Sequence, residues 1–280
     1  MEDIIIKSII QNVLKEDLGL GDITTLATVS DDASGHAALY ARENLVLAGL
    51  NVFKTVFYEI DSSLVFSDNY KDGDTISQDS LVLTIEGKLS SILQAERTAL
   101  NFLQRMSGIA SRTKEYITKI KHWNTKILDT RKTAPGLRIF DKYSVRVGGG
   151  YNHRIGLFDG VLIKDNHIVA AGGISEAIKK ARSYIPHTLK IEVEVETINQ
   201  LTEALDAGAD VIMLDNMNIE TMEKAVKIVA NRIPLEASGG INLDNVAEIA
   251  ATGVDFISIG DITHSARSSN FSLKIVSDKK

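Results

Sequence analysis

Lys190-Ile191-Glu192-Val193-Glu194-Val195-Glu196 is the stretch that decides the fold of this chain. Side chains two positions apart on a β-strand share a face, so the valines lie on one face and the glutamates on the other. A solvated edge strand has the same alternation. In a central strand of a parallel barrel, however, the valines pack against outer helices and the glutamates point inward, where cations or a metal must pair with them. We favour the inward interpretation.

Similar apolar runs recur along the chain after Ser107 and alternate with amphipathic segments of helical length. The runs cover residues 126–130, 160–163, 190–196, 210–214, 233–237 and 254–259. The later helical segments cover residues 174–184, 197–207, 219–231 and 243–251. This alternation predicts an α/β domain with a parallel sheet. Most runs end in charged or small polar residues, which suits the catalytic rim of a barrel.

The number of runs predicts an irregular, incomplete barrel, because a standard barrel has eight strands. A doubly wound open sheet is the alternative, but no Gly-x-Gly-x-x-Gly turn follows a first strand. We therefore assign residues 109–280 to a C-terminal α/β barrel domain. Residues 1–108 form an N-terminal α+β sandwich domain, to which the last few residues of the chain can return.

The N-terminal half mixes helical and strand patterns. We expect helices over about residues 3–15 and 90–106, and short strands over residues 37–40, 44–48 and 81–85. The Gly21-Asp22-Ile23-Thr24-Thr25 segment is predicted to be a loop.

Composition excludes several classes of function. The chain of 280 residues has no cysteine, which rules out disulfides, thiolate metal sites and cysteine nucleophiles. Its formal net charge of −6 is unfavourable for nucleic-acid binding, which depends on basic surface. It has no apolar run of the roughly 18 residues that a membrane span needs, and its acidic start is untypical of a secretory signal. We expect a cytoplasmic protein that contacts neither nucleic acid nor membrane.

An acidic protein that binds an anion needs a local cluster of cations, and the first two barrel runs supply one. Its members are Arg131, Lys132, Arg138, Arg154 and Lys164. A single such residue is more often a surface side chain, with its charged end in water, than a ligand contact. Several at neighbouring strand ends indicate a site for a highly anionic small molecule, since arginine forks suit carboxylates and phosphates.

Glycine-rich segments after the last two runs indicate a phosphate site. Ser238-Gly239-Gly240 follows one run and precedes a helix expected to begin near Asn242, while Ser258-Ile259-Gly260 ends the next run. Glycine lets backbone N–H groups approach a phosphate, and barrels bind phosphate after their last two strands. His153, His167 and His264 match no zinc spacing, so we assign them hydrogen-bonding roles at most.

The chain resembles the quinolinate phosphoribosyltransferase family. The blocks that carry the resemblance are Glu16-Asp17-Leu18-Gly19, Gly21-Asp22-Ile23-Thr24-Thr25, Glu96-Arg97-Thr98-Ala99-Leu100-Asn101, Ser107-Gly108-Ile109-Ala110, Asp129-Thr130-Arg131-Lys132-Thr133, Asn152-His153-Arg154, Leu162-Ile163-Lys164-Asp165-Asn166-His167, Glu192-Val193-Glu194-Val195-Glu196, Met213-Leu214-Asp215-Asn216 and Glu236-Ala237-Ser238-Gly239-Gly240. They occur in this order over nearly the whole chain. The resemblance implies that quinolinate reacts with phosphoribosyl pyrophosphate to give nicotinate mononucleotide, pyrophosphate and CO₂. Mg²⁺ is the implied cofactor. It also implies a homodimer or a larger assembly, with a hexamer as one option.

The resemblance implies roles for individual residues. Lys132, Lys164, Glu194 and Asp215 are the catalytic candidates, and Glu194 and Asp215 are also the candidate Mg²⁺ ligands. The candidate substrate-binding residues are Arg97, Thr130, Arg131, Lys132, His153, Arg154, Lys164, Glu194, Asp215, Ser238, Gly239, Gly240, Ile259, Gly260, Asp261 and His264. Arg97 is expected to reach the site of the neighbouring subunit. The family more commonly has an apolar residue where this chain has Asp261, so here an acid lies beside the phosphate loop.

Three other functions remain open at this point. One is a paralogous barrel associated with molybdate transport. Another is a Schiff-base aldolase with Lys164 as its nucleophile, because desolvated lysines at barrel strand ends do that chemistry. The third is a nucleotide sensor without catalytic activity, in which Glu194 and Asp215 would be dispensable.

Overall fold

A computed structural model describes residues 2–276 of this chain. Its helices are α1 Glu2–Leu18, α2 Ile23–Thr28, α3 Leu50–Ile60, α4 Leu89–Lys119, α5 Arg138–Val147, α6 Asp165–Ala171, α7 Ile174–Tyr184, α8 Ile198–Asp206, α9 Ile219–Val229, α10 Val246–Ala251 and α11 Asp261–His264. Its strands are β1 Ser34–Ala41, β2 Leu45–Val46, β3 Val65–Asp68, β4 Thr75–Ile76, β5 Leu81–Lys88, β6 Lys126–Leu128, β7 Val161–Ile163, β8 Ile191–Val195, β9 Val211–Asp215, β10 Leu235–Ser238, β11 Phe256–Ser258 and β12 Phe271–Val276. No helix in this described range is long and apolar enough to cross a membrane.

The described residues fall into two compact units. The first contains the chain up to Arg112, then Ile139–Gly148, and then the residues from Ala266 onward. Its main sheet has the order β12-β1-β5-β3, in which β1 pairs antiparallel with both β12 and β5. Apolar side chains such as Phe53 and Phe57, whose ring centroids are 4.9 Å apart, build its core. The predicted α+β organisation of this part is confirmed.

The second unit contains Thr113–Arg138 and Gly149–Ser265. Its six parallel strands have the order β6-β11-β10-β9-β8-β7, and helices follow most of them. Within the described chain the sheet has no β6–β7 pairing; instead Leu128 of β6 bridges to Tyr151, in the segment before β7. The prediction of an irregular, incomplete α/β barrel is therefore confirmed.

The long helix does not end near residue 106, where the sequence pattern predicts its end. Helix α4 continues through Gly108 to Lys119. A Cβ added at Gly108 would lie 2.1 Å from the backbone oxygen of Arg267, so glycine serves the close approach of another backbone. Sequence periodicity alone cannot distinguish such a packing glycine from a helix-ending one.

Two other boundaries differ from the sequence prediction. The segment predicted as a loop from Gly21 contains the start of α2, because the Asp22 side chain accepts the Thr25 N–H at 3.0 Å and caps the helix. Helix α10 begins at Val246 and not near Asn242. The Asn242 side chain instead accepts the Asp244 N–H at 2.8 Å, which holds the preceding segment in a turn.

Candidate active site

A cavity of about 930 Å³ lies at the carboxyl ends of the parallel strands. All of its lining residues belong to the second unit. They are Thr130, Arg131, Lys132, His153, Arg154, Leu162, Lys164, Glu194, Met213, Asp215, Asn216, Glu236, Ser238, Gly239, Gly240, Ile241, Asn242, Ser258, Ile259, Gly260, Asp261 and His264. Parallel barrels place their chemistry at this end because the strands converge there and the following loops vary freely.

Four cations line this cavity. Arg131 and Lys132 follow β6, Arg154 precedes β7, and Lys164 follows β7 as the N-cap residue of α6. Arg138 is directed elsewhere: its Nε donates to Thr133 Oγ1 at 3.0 Å, and it is not among the lining residues.

Arg154 is the cation that most needs an anionic partner. Burial lowers the pKa of its guanidinium, and the nearby charge of Arg131 lowers it further. Its Nε is buried, and within the described part of the chain that atom has no hydrogen-bond partner. A bound anion would satisfy both the charge and the unused donor.

The inward carboxylates of β8 and β9 stand beside these cations. Lys164 Nζ forms an ion pair with the half-buried Glu194, and Asp215 accepts the Asn216 side-chain amide at 2.9 Å. On β8, Val193 and Val195 are fully buried on the opposite face, as the alternation predicted. Glu192 and Glu194 therefore point into the barrel, as predicted. Glu196 does not: it follows the end of β8 and is exposed.

The loops after β9 and β10 meet tightly at Gly239. Its φ of +94° is a left-handed conformation, and a Cβ there would lie 2.2 Å from Asn216 Oδ1. Asn216 itself has a positive φ of 52°. Only glycine permits this conformation and this close contact together. The result is an exposed stretch of backbone at the rim, which is what phosphate binding requires.

Asp261 is accommodated by two local interactions. It lies in the first turn of α11, where a negative charge is favourable. The hydroxyl of the buried Tyr116 donates to its Oδ2 at 3.0 Å. Its neighbour His264 also lines the cavity, and His264 Nδ1 lies 2.6 Å from Ser265 Oγ. The acid thus belongs to the cavity wall and has a protein partner there.

A second group of acids lies deeper in the same barrel. His153 Nε2 is 2.8 Å from Glu192 Oε2 and 3.9 Å from Glu236 Oε1. Burial alone lowers the pKa of His153, but the hydrogen bond to Glu192 and the two carboxylate charges outweigh it, so the pKa is raised. Asp129 accepts the His153 backbone N–H at 2.8 Å and fixes the segment that carries it.

The structure brings nearly all of the site residues named from the sequence into one cavity. Arg97, Arg138 and His167 are the exceptions: within the described residues of a single chain, none of them lines the cavity, and Arg97 is exposed on α4. Sequence reasoning missed Glu192 and Glu236 as partners of His153. Their inward position was readable from strand alternation, but their contact with a histidine from another segment was not.

The cavity has a cationic rim, inward carboxylates and glycine loops after the last strands. These features define an α/β-barrel enzyme that acts on a small molecule with several negative charges.

The comparisons with known proteins give the particular family. A family model described as "Quinolinate phosphoribosyl transferase, N-terminal domain" matches residues 22–107, and the corresponding "C-terminal domain" matches residues 109–274. The chain belongs to the quinolinate phosphoribosyltransferase family.

The similarity to individual relatives extends over almost their full length. A "Probable nicotinate-nucleotide pyrophosphorylase [carboxylating]" of Bacillus subtilis is 42% identical over 275 residues, which are 98% of this chain and 95% of the relative. NadC from Streptococcus pyogenes superposes with a TM-score of 0.92 at 44% identity, covering 95% of this chain and 94% of that one. The nicotinate-nucleotide pyrophosphorylase from Francisella tularensis has a TM-score of 0.94 at 40% identity, covering 99% of this chain and 97% of that one.

Proposed function

We propose that this protein transfers the phosphoribosyl group of phosphoribosyl pyrophosphate to quinolinate, with loss of CO₂, in NAD biosynthesis. The products are nicotinate mononucleotide and pyrophosphate. The observation that carries the proposal is the cavity in which Arg131, Lys132, Arg154 and Lys164 surround the carboxylates Glu194 and Asp215. Both substrates are highly anionic, and the relatives' names specify the same reaction class.

Quinolinate recognition rests on the cations. A dicarboxylate needs more than one positive partner, and Arg154 offers a buried Nε that has no hydrogen-bond partner among the described residues. Nicotinic acid has one carboxylate fewer and would leave part of this charge unpaired. A site that is built for a polar group rejects an analogue that lacks it, because the unmatched buried groups are costly.

The carboxylates serve the ribose. Departure of pyrophosphate develops positive charge on the ribose ring, and Glu194 and Asp215 stabilise that charge from fixed positions on adjacent strands. Lys164, paired with Glu194, holds this carboxylate in place and adds positive charge for the anionic groups. Lys132 also lines the cavity, and its backbone oxygen accepts the Thr263 hydroxyl at 2.8 Å. Its ammonium is the proposed binding group for the leaving pyrophosphate.

Mg²⁺ is the proposed cofactor, and the donor set fits it. Mg²⁺ is commonly held by one or two carboxylates together with substrate phosphates, which Glu194, Asp215 and the pyrophosphate would supply. Bound there, it would neutralise charge on the leaving group.

The phosphate of the sugar is proposed to bind at the glycine loops. Gly239 and Gly240 both have positive φ angles and present backbone at the rim. Ser238 and Gly260 line the same corner of the cavity, and His264 lies beside Gly260. Thr130, Ile259 and Asp261 complete the wall around the substrates.

The assembly is proposed to be a homodimer or a larger oligomer, up to a hexamer, in which Arg97 completes the partner's site. The exposure of Arg97 outside the cavity of its own chain supports this arrangement. The cytoplasm is the proposed location, which suits a chain without cysteine. Its acidic charge favours neither nucleic acid nor anionic membrane as a partner.

The test is a magnesium-dependent assay with quinolinate and phosphoribosyl pyrophosphate that measures pyrophosphate, nicotinate mononucleotide and CO₂. We expect product with the wild type, and a loss of kcat/KM of at least about 100-fold in Lys164→Ala and Arg131→Ala, because each removes a charge aimed at substrate. Lys224→Ala is the matched control: this exposed lysine pairs with Glu220 on α9 and should leave the rate unchanged. Replacing quinolinate by nicotinic acid should abolish turnover.

A folded wild-type enzyme that forms no product from this pair of substrates would contradict the proposal and favour the molybdate-associated paralogue. The aldolase alternative is disfavoured by the state of Lys164. A Schiff-base lysine is desolvated, whereas this side chain is 46% exposed and paired with Glu194. Borohydride trapping with a carbonyl substrate should therefore give no adduct at Lys164.

A further inference from the structure

The His153, Glu192 and Glu236 side chains lie close together inside the barrel, and His153 and Glu236 also line the cavity. We call these three residues the floor cluster. The side chain of Glu236 is only 2% exposed, and that of Glu192 only 10%. One oxygen of each, Oε1, is buried without a hydrogen-bond partner in the described range of the chain. Unsatisfied buried carboxylate oxygens are costly, so their presence beside a substrate cavity calls for a function.

The floor cluster is poorly suited to a metal. The Arg154 backbone N–H donates to His153 Nδ1 at 2.7 Å, so the ring proton of neutral His153 is on Nε2. The imidazolium form also carries a proton on Nε2. This is the nitrogen that faces the two glutamates, and a metal would need its lone pair. The cluster therefore holds protons.

The two glutamates are not equivalent. Glu192 accepts the His153 Nε2–H at 2.8 Å. Glu236 has the longer contact with His153, at 3.9 Å, and faces the charge of Glu192. Burial, and then the charge of Glu192, raise the pKa of Glu236 to about 8. Glu236 is thus a neutral carboxylic acid at pH 7.

Glu236 is placed to meet the substrate. It lines the cavity on the same face of β10 as Ser238, one layer below the rim. Its register partner on β9 is Met213, which with Leu162 gives the cavity wall an apolar part. The aromatic ring of quinolinate matches that apolar part, and its carboxylates match the cationic rim. Ser258 from β11 also faces Glu236.

We propose that the carboxylic acid of Glu236 donates the proton that replaces the carboxylate lost from the pyridine ring. The inference rests on the proposed function and extends it to the second chemical step. Glu192 and His153 are positioning residues in this scheme, because they hold the acid in place and keep it neutral.

The step balances without any further reagent. The bond between ring carbon 2 and its carboxylate breaks, CO₂ departs, and the electron pair stays on the ring carbon beside the positively charged ring nitrogen. The Glu236 proton then moves to that carbon before CO₂ can recombine with it. Glu236 is left as a carboxylate and regains a proton from water after product release.

The experiment separates the two steps by rapid quench in a single turnover. Pyrophosphate reports phosphoribosyl transfer, and CO₂ reports decarboxylation. In Glu236→Gln, which keeps the size of the side chain, we expect pyrophosphate release within about threefold of the wild-type rate. CO₂ release should slow by about 100-fold or more, because a positioned general acid contributes about 10² to 10⁴. Phosphoribosylated quinolinate should accumulate, and Glu220→Gln on the exposed face of α9 should behave like the wild type.

The outcomes are distinct. CO₂ release at the wild-type rate in Glu236→Gln would overturn the inference, and so would equal slowing of both steps in a folded variant. If Glu236→Gln does not fold, the wild type decides: CO₂ release should fall behind pyrophosphate release above about pH 8, and identical pH profiles would overturn the inference. A wild type that releases no pyrophosphate would instead contradict the proposed function.

Discussion

At the scale of single residues, Gly239 shows how a backbone requirement becomes a functional one. Its positive φ and its contact with Asn216 leave no room for a side chain. An L-residue in a left-handed conformation costs roughly 1–2 kcal/mol before any clash is counted. Because the loop presents backbone to the cavity rim, relief of that strain would move the groups proposed to bind the sugar phosphate.

We therefore expect Gly239→Ala to raise the KM for phosphoribosyl pyrophosphate by about tenfold or more, and to change the KM for quinolinate by less than about twofold. Steady-state kinetics with each substrate varied in turn would measure this. Gly208→Ala is the matched control, because Gly208 has a similar φ of +84° but no described atom within 4 Å of its added Cβ. Equal KM values for phosphoribosyl pyrophosphate in Gly239→Ala and the wild type would refute the assignment of the phosphate loop.

At the scale of elements, the junction between β8 and α8 sets where the catalytic strand stops. Thr197 Oγ1 accepts the Gln200 N–H at 3.3 Å, and the Gln200 side chain accepts the backbone N–H groups of Glu196 and Thr197. This capping box begins α8 directly after the strand that carries Glu192 and Glu194. The helix start therefore contributes to holding the glutamates in register.

Removal of this cap should cost stability. We expect Thr197→Ala to lower the free energy of unfolding by about 1 kcal/mol, as measured by urea denaturation at pH 7. Thr202→Ala, one turn further along α8, changes an exposed threonine whose hydroxyl donates to the Ile198 carbonyl. It should leave stability unchanged or slightly raised, because alanine favours helix. Equal stability of the two variants would show that the capping box contributes nothing.

At the scale of the whole molecule, Arg97 is proposed to act in the active site of a partner subunit. Helix α4 presents it to solvent, and it does not line the cavity of its own chain in the described range. A site shared between subunits predicts complementation: Arg97→Ala and Lys164→Ala are each inactive, but mixed dimers contain one intact site. Random mixing should restore about a quarter of wild-type activity, because half the dimers are mixed and each has one working site.

The control for complementation is a mixture of Lys164→Ala with Arg131→Ala. Each of these changes impairs the cavity of its own subunit, so every site in the mixed dimers is defective and the mixture should stay inactive. Activity should be measured after the subunits have been dissociated and reassociated. An inactive mixture of Arg97→Ala and Lys164→Ala, with mixed dimers present, would show that Arg97 does not act across the interface.

Much of the architecture was predictable because it follows from short-range periodicity. Strand alternation placed Val193 and Val195 outside and the glutamates of β8 inside, and the positions of the apolar runs gave the six strands of the incomplete barrel. The same reasoning failed where a residue serves a distant contact. Gly108 sits inside a helix because another backbone passes against it, and no local pattern contains that information.

The cationic rim and the glycine loops could be inferred from the sequence alone, because polar residues at the ends of parallel strands must converge on one side of the sheet. The floor cluster could not. His153, Glu192 and Glu236 come from three separate segments, and their contacts depend on how far the barrel curves and which side chain reaches inward from the segment before β7. Sequence therefore determined which charges share the cavity, whereas the tertiary structure decided which carboxylate is neutral, since burial and a neighbouring charge depend on packing in three dimensions.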